Sequence, residues 1–457
     1  MAKEFPMVPR KVKPVCTKNR VIKTKIPVPQ SLAILKRLRK YEPVSMTGQP
    51  LVVWDHAVGE HVYDKWGNKW LDWSCGVLIT NAGHGRKEIV DAIVKQAKSR
   101  LIANYCFPTE IRSLLVERLV KLAPKEIDKC FLLTTGGETT ECALKLARTH
   151  GQKVGGRQKI GIVSFNKAFH GRTLGAQMMG GIPSLKEWIV NVDPDMVQVP
   201  YPDGYWVEDT SFEAFLAALD KAGMTPERCA GVITETYQGG GADFAPKEFM
   251  QKLRAWCTAN QVVLICDEVQ AGFGRTGKFW GFEHYGIVPD LFCCGKGISG
   301  SLPLSALMGK SAIMNLYGPN EMTSTHTGSP VPAAAALASI NIIVREKLHQ
   351  NAAKVGAVLM DGLQGLAQKY SDVIGCVHGK GLVAGMHVVK PSNRKEKDPD
   401  LAWEAVRLCV EKGLLMFAPV GGSTIKIAPP LTATQEQVLE GITVLDEALA
   451  EAIALPR

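Results

Sequence analysis

Through the middle of this 457-residue chain, short, predominantly apolar runs alternate with stretches whose apolar residues recur every three or four places. The apolar runs are 130–135 (CFLLTT), 160–165 (IGIVSF), 231–236 (GVITET), 262–269 (VVLICDEV), 291–294 (LFCC) and 304–309 (LSALMG). Strands of this kind are covered on both faces, as in a parallel sheet packed between helices. The periodic stretch 141–149 (ECALKLART) places Ala143, Leu144, Leu146 and Ala147 on one helical face. The alternation predicts an α/β fold with crossover connections. Residues 63–73 (YDKWGNKWLDW) read as a hairpin turning at Gly67–Asn68. A long helical pattern begins at about Ala333, and short strands and helices then mix. The expected organisation is a large domain at 76–335 with a mostly parallel sheet, a smaller α+β C-terminal domain at 336–457, and an arm with a small-domain segment at 1–75.

Hydrophobic residues make up 46% of the chain and charged residues 21%, an ordinary soluble balance. No apolar run approaches the ~20 residues needed to cross a bilayer, and the first residues lack the apolar stretch of a secretory signal. A cytoplasmic protein without a membrane partner is the expectation. Twelve cysteines include no C-x-x-C pair, so reduced core cysteines are expected, with no metal site. The net charge of +10 has a location: residues 1–40 hold twelve Lys/Arg against Glu4. This arm reads as solvated and packed on a partner subunit, or as lying near a phosphate-rich ligand. No nucleic-acid motif accompanies it.

Three expected strand ends carry chemistry, and ligands of open α/β sheets bind beyond the carboxyl ends of the strands. After 130–135, Gly136 and Gly137 open a helix whose backbone N–H groups would suit an anion. Asp267 follows a strongly apolar strand, where a carboxylate is costly unless paired. Lys296 sits between two glycines behind LFCC, where desolvation would disfavour its ammonium form and make it a usable nucleophile or base. Each feature by itself has a structural explanation. Together they are the set that pyridoxal phosphate requires: a lysine for a Schiff base, an acid for the pyridinium nitrogen and a phosphate cradle.

The stretch 266–300 (CDEVQAGFGRTGKFWGFEHYGIVPDLFCCGKGISG), with 63–93 and 165–176 (FNKAFHGRTLGA), resembles the class III pyridoxal-phosphate-dependent aminotransferases, the group of the 4-aminobutyrate and ornithine transaminases. The resemblance runs from about residue 50 to about residue 450. It implies the fold type I architecture of such transferases, and it implies roles position by position. Lys296 would be the Schiff-base lysine and proton carrier, and Asp267 the partner of the pyridinium N–H. Gln270 would lie near the ring's phenolic oxygen, with Val269 and Phe169 on opposite ring faces. Gly136 and Gly137 would hold the phosphate, and Thr325 would reach the phosphate of a neighbouring subunit. That last role implies a homodimer, or a dimer of dimers, with shared active sites. Glu235 matches the acid of the group's E-P-x-Q-G stretch. The expected reaction takes an amino group from a small-molecule β- or ω-amino donor to a 2-oxo acid. An amino-acid racemase on the same fold is the alternative.

Two departures bear on the donor. Many members carry a glutamate where this chain has Gly240, and an arginine where it has Lys426. Lysine offers a point charge in place of a planar fork. Lys426 then either anchors a carboxylate adequately or marks a donor whose carboxylate is distant or masked. The group includes an aminotransferase of 3-aminobutyryl-CoA, a thioester of the masked kind.

Overall fold

The computed structural model describes residues 4–455. Two compact units make up the chain: Lys87–Gln350, and the flanking segments up to Arg86 and from Asn351. The changes of unit come at 86/87 and 350/351, against 75/76 and 335/336 expected. Helix Pro330–Arg345 packs against helices Lys87–Lys98 and Glu110–Leu122, which keeps it within the larger unit.

The larger unit is built on seven strands: β1 (Lys129–Leu133), β2 (Gly161–Phe165), β3 (Met196–Val199), β4 (Cys229–Glu235), β5 (Val263–Asp267), β6 (Leu291–Cys294) and β7 (Ser305–Gly309). Their order across the sheet is β1-β7-β6-β5-β4-β2-β3. The β6-β5-β4-β2-β3 pairings are parallel, while β7 runs antiparallel to both β6 and β1. Strands β4 to β7 are buried at every residue, as their uninterrupted apolar runs require. Helix Gly136–Gly155 lays Ala143, Leu146 and Ala147 on Ile233, Ile265, Cys293 and Leu307 of the sheet. At the edge, β3 is half-buried at Val197 and Gln198, so it lacks the uniform apolar signal and is absent from the expected strands.

Among the described residues, the smaller unit contains two sheets. One includes the hairpin of His61–Tyr63 with Lys69–Asp72, which turns at Gly67 in the left-handed region. The other is antiparallel and joins Ile374–Lys380, Val383–Lys390, Asn393–Lys397 and Thr424–Ile427. The basic arm makes contacts within its own chain. Arg20 reaches Glu440 at 2.7 Å and the Lys412 carbonyl at 2.6 Å, Asn19 reaches Glu440 at 2.6 Å, and Phe5 stacks on Trp403. Two acids that it meets, Glu436 and Glu440, lie on the last helix, Gln435–Ala454, some four hundred residues on.

Candidate active site

The parallel strands end together, and the candidate residues sit at those ends. Glu235 closes β4 and is paired in register with Asp267, which closes β5; Asp267 is paired in turn with Cys293 of β6. Gly295 and Lys296 follow β6 directly. Two strands further, past β7, helix Gly136–Gly155 starts behind β1. Topology thus gathers residues scattered over 160 positions of sequence into one edge of the sheet.

Asp267 is buried and holds two hydrogen bonds: Oδ1 accepts from the Val269 N–H at 3.1 Å, and Oδ2 lies 2.9 Å from His170 Nδ1. His170 was not among the residues expected from sequence, although it adjoins Phe169 in the FHGRT stretch. It is also buried, and its Nε2 has no hydrogen-bond partner among the described residues. The His170 loop is fixed to the helix, because Thr140 Oγ1 donates to the His170 carbonyl at 2.7 Å. Gly171 then passes so close to Gly137 that a Cβ on it would lie 2.9 Å from the Gly137 Cα.

Glu235 accepts from the Phe169 N–H at 3.1 Å and from the Gly239 N–H at 2.9 Å. Burial pushes its carboxyl up to about 7; the His170 ring opposes that shift and Asp267 adds to it. A Cβ on Gly239 would meet the Gln270 amide and come within 2.8 Å of Glu235 Oε1, so Glu235, Gly239 and Gln270 are neighbours. Glu268, also outside the expected set, is fully buried beside them. It accepts from Thr236, from the Gly281 N–H at 2.6 Å and from the Phe282 N–H at 3.0 Å, and burial pushes it up to about 7.

Lys296 keeps part of its surface open, yet the protein around it lowers its pKa through desolvation, with Asp267 and Glu235 pulling the other way. Its backbone is left-handed at φ +43°, a strained choice for a residue with a side chain. Val269 links this residue to the helix start. Its Cγ1 lies 3.5 Å from where a Cβ on Gly295 would be, and 2.9 Å from where a Cβ on Gly136 would be.

At that helix start, Thr135 caps through its hydroxyl, while Glu138 accepts from the Thr134 and Thr135 N–H groups. The first-turn N–H groups of Gly136 and Gly137 have no intrahelical acceptor by geometry, and the dipole of a 20-residue helix stands behind them. Arg172 lies over the Phe169 ring at 5.6 Å.

Three other sequence-expected residues lie on other segments. Gly240 is half-buried in the turn that follows Gln238. Thr325 is exposed on the segment ahead of helix Pro330–Arg345. Lys426 belongs to the smaller unit, buried on strand Thr424–Ile427 opposite Gly385.

These residues fit pyridoxal phosphate. A Cβ-free, N–H-rich helix start suits its phosphate, a buried carboxylate held by His170 suits a protonated ring nitrogen, and the desolvated Lys296 amine completes the set. The description of family "Aminotransferase class-III" matches residues 44–449.

The chain belongs to the class III aminotransferases.

This aminotransferase is 32% identical to a 4-aminobutyrate aminotransferase of Mycobacterium leprae, over 95% of this chain and 98% of the relative. It is 33% identical to an acetylornithine aminotransferase of Gloeobacter violaceus, over 87% and 93%. Among solved structures, an amine transaminase from an uncultivated Pseudomonas species, described as PLP-bound, superposes with a TM-score of 0.81 at 28% identity, covering 88% of this chain and 95% of that one. Pyridoxal phosphate is therefore the cofactor. No helix among the described residues is long and apolar enough to cross a membrane.

Proposed function

We propose that this aminotransferase moves an amino group from a β- or ω-amino compound to a 2-oxo acid, with Lys296 holding the cofactor covalently through its amine and carrying the proton. The observation that supports this most directly is the convergence of Lys296, the Asp267–His170 pair and the Gly136 helix start at one sheet edge. When bound, the cofactor withdraws electrons from the substrate carbon next to nitrogen, so that its C–H bond can break. Asp267 would keep the ring nitrogen protonated, and His170 orients that carboxylate. Lys296, made less basic by desolvation, gives up its proton more readily than an exposed lysine does and so can pass one to and from the substrate. Val269 and Phe169 would pack on the two ring faces, Gln270 would meet the phenolic oxygen, and Gly136 and Gly137 would bind the phosphate.

Lys296→Ala is expected to slow turnover by at least ~10²–10⁴-fold, the range of general acid–base catalysis, and to remove the visible band of the lysine-bound cofactor. Normal turnover in this variant would sink the reading. Dependence on a 2-oxo acid separates transfer from racemisation, which needs no acceptor.

For the donor, 4-aminobutyrate in the relative's name carries its amine far from its carboxylate, which supports a β- or ω-amine here. Gly240 offers no carboxylate and Lys426 no guanidinium fork, so we favour a donor whose carboxylate is distant or masked, such as a coenzyme A thioester. Loss of the visible band on mixing with 3-aminobutyrate or with its coenzyme A thioester, without acceptor, tests this. Equal reaction with the free acid would refute the masked-carboxylate reading. We also read the enzyme as a cytoplasmic homodimer or dimer of dimers. Residues 101–107 expose Leu101, Ile102, Tyr105 and Phe107, the last at 74%, a surface that a second subunit would cover.

A further inference from the structure

The antiparallel sheet of the smaller unit carries a cluster that the transfer reaction does not use. Strands Ile374–Lys380 and Val383–Lys390 form a hairpin. Cys376 and His378 are two positions apart on one strand, so their side chains leave the same face. A register shift between Ile374 and Cys376 sets Cys376 opposite His387 on the other strand. The donor atoms of Cys376, His378 and His387 all lie within 4.8 Å of one another, and the two imidazoles meet edge to face at 5.7 Å between centroids.

We propose that Cys376, His378 and His387 bind a zinc ion. One thiolate and two imidazoles are the donors Zn²⁺ prefers, whereas Ca²⁺ and Mg²⁺ take oxygen ligands. Ligand bonds of about 2.0–2.3 Å place tetrahedral donors some ~3.5 Å apart, and the three donors already lie within 4.8 Å of one another. His387 is almost fully buried, while Cys376 and His378 are partly exposed and give the ion an entry. His387 Nδ1 lies 3.0 Å from Thr424 Oγ1 on the neighbouring strand. That hydrogen bond fixes the ring, and with Nδ1 as donor it leaves the other nitrogen its lone pair, as supporting partners of ligand histidines do. Binding takes Cys376 as thiolate and releases its proton to solvent. Three protein ligands leave the fourth position to water. The ion would tie the two strands of the hairpin together and stabilise the folded unit by mass action. Sequence spacing conceals the site, because the motif is only C-x-H, with the third ligand brought back by the hairpin.

The test uses untagged holoenzyme, stripped with a chelator, equilibrated with Zn²⁺ and gel-filtered before the zinc per chain is counted by mass spectrometry. One zinc per chain is expected, retained in Cys16→Ser, whose thiol is exposed elsewhere. Cys376→Ser and His378→Gln should each bind at least ~10-fold more weakly, with transaminase turnover unchanged. Zinc should raise the melting temperature of the wild type and not of these variants. If Cys376→Ser does not fold, His378→Gln and X-ray absorption at the zinc edge of the wild type decide. One sulfur and two nitrogens around the metal are expected. No retained zinc, equal zinc in the His378→Gln variant, or a shell without sulfur would overturn the proposal.

Discussion

Three acids crowd two adjacent strand ends, Glu235 on β4 and Asp267 with Glu268 at the end of β5, and their surroundings separate them. Glu268 is the most enclosed, and its carboxyl is pushed up to about 7 by burial, from an ordinary 4.5. The folded-state value exceeds the unfolded one, so its contribution to stability is complete below pH 4.5. It is lost as the pH rises through about 7, because the unfolded chain gives up the proton first. At 1.36 kcal/mol per unit the loss is about 3 kcal/mol. Glu268→Gln should therefore flatten the fall in melting temperature between pH 4.5 and 8 relative to wild type. It should also be less stable overall by ~1–3 kcal/mol, since an amide cannot accept from all three donors. Parallel pH profiles would exclude this role for Glu268. His170 acts on the neighbouring acid. Removing a hydrogen bond to a charged group costs ~1.5–3 kcal/mol, so His170→Ala should slow turnover by about 10–100-fold. Because His170 works through Asp267, the pH titration of the bound cofactor's visible band should shift as well. A slower enzyme with an unshifted titration would make His170 a packing residue only.

At the scale of elements, the first turn of helix Gly136–Gly155 can lie against Val269 because Gly136 has no side chain. A methyl there would sit 2.9 Å from Val269 Cγ1, so something must shift. Overpacking of this kind costs ~1–3 kcal/mol. Gly136→Ala should thus lower the melting temperature of the apoprotein and, by displacing Val269 or the helix start, also weaken cofactor binding by roughly 10-fold or more, which calorimetry and equilibrium dialysis would show. The same elements explain what the sequence could and could not reveal. Strands β4 to β7 are buried on both faces and announce themselves as apolar runs, and Lys296, Asp267 and the paired glycines stand out because each breaks such a run at its end. The edge strand β3 carries Gln198 among its four residues and does not stand out. His170 lies in a loop, where no periodicity marks it, and only the fold carries it to Asp267. The arm's partner acids and the Cys376–His387 pairing depend likewise on contacts between distant or folded-back segments.

At the scale of the whole molecule, the reading of Thr325 decides whether one chain makes a complete site. Thr325 is exposed, on a segment whose neighbour Thr327 is anchored by donating to the Leu132 carbonyl at 2.7 Å. A hydroxyl held rigidly at the surface suits a phosphate bound in a second subunit. Thr325→Ala should then weaken cofactor binding in its own homodimer by about 10-fold, the worth of one charge-assisted hydrogen bond. Lys296→Ala homodimers should be inactive for a different reason. Mixing the two variants under conditions that exchange subunits separates the roles. A site with an intact Lys296 in the Thr325→Ala chain would receive Thr325 from the Lys296→Ala chain. Such a mixed dimer would regain one wild-type site of its two, with wild-type cofactor affinity. If Thr325 served its own chain, every site with a lysine would lack the threonine, and mixing would restore nothing. Recovery of activity thus follows from sharing between subunits, and its absence would confine each active site to a single chain.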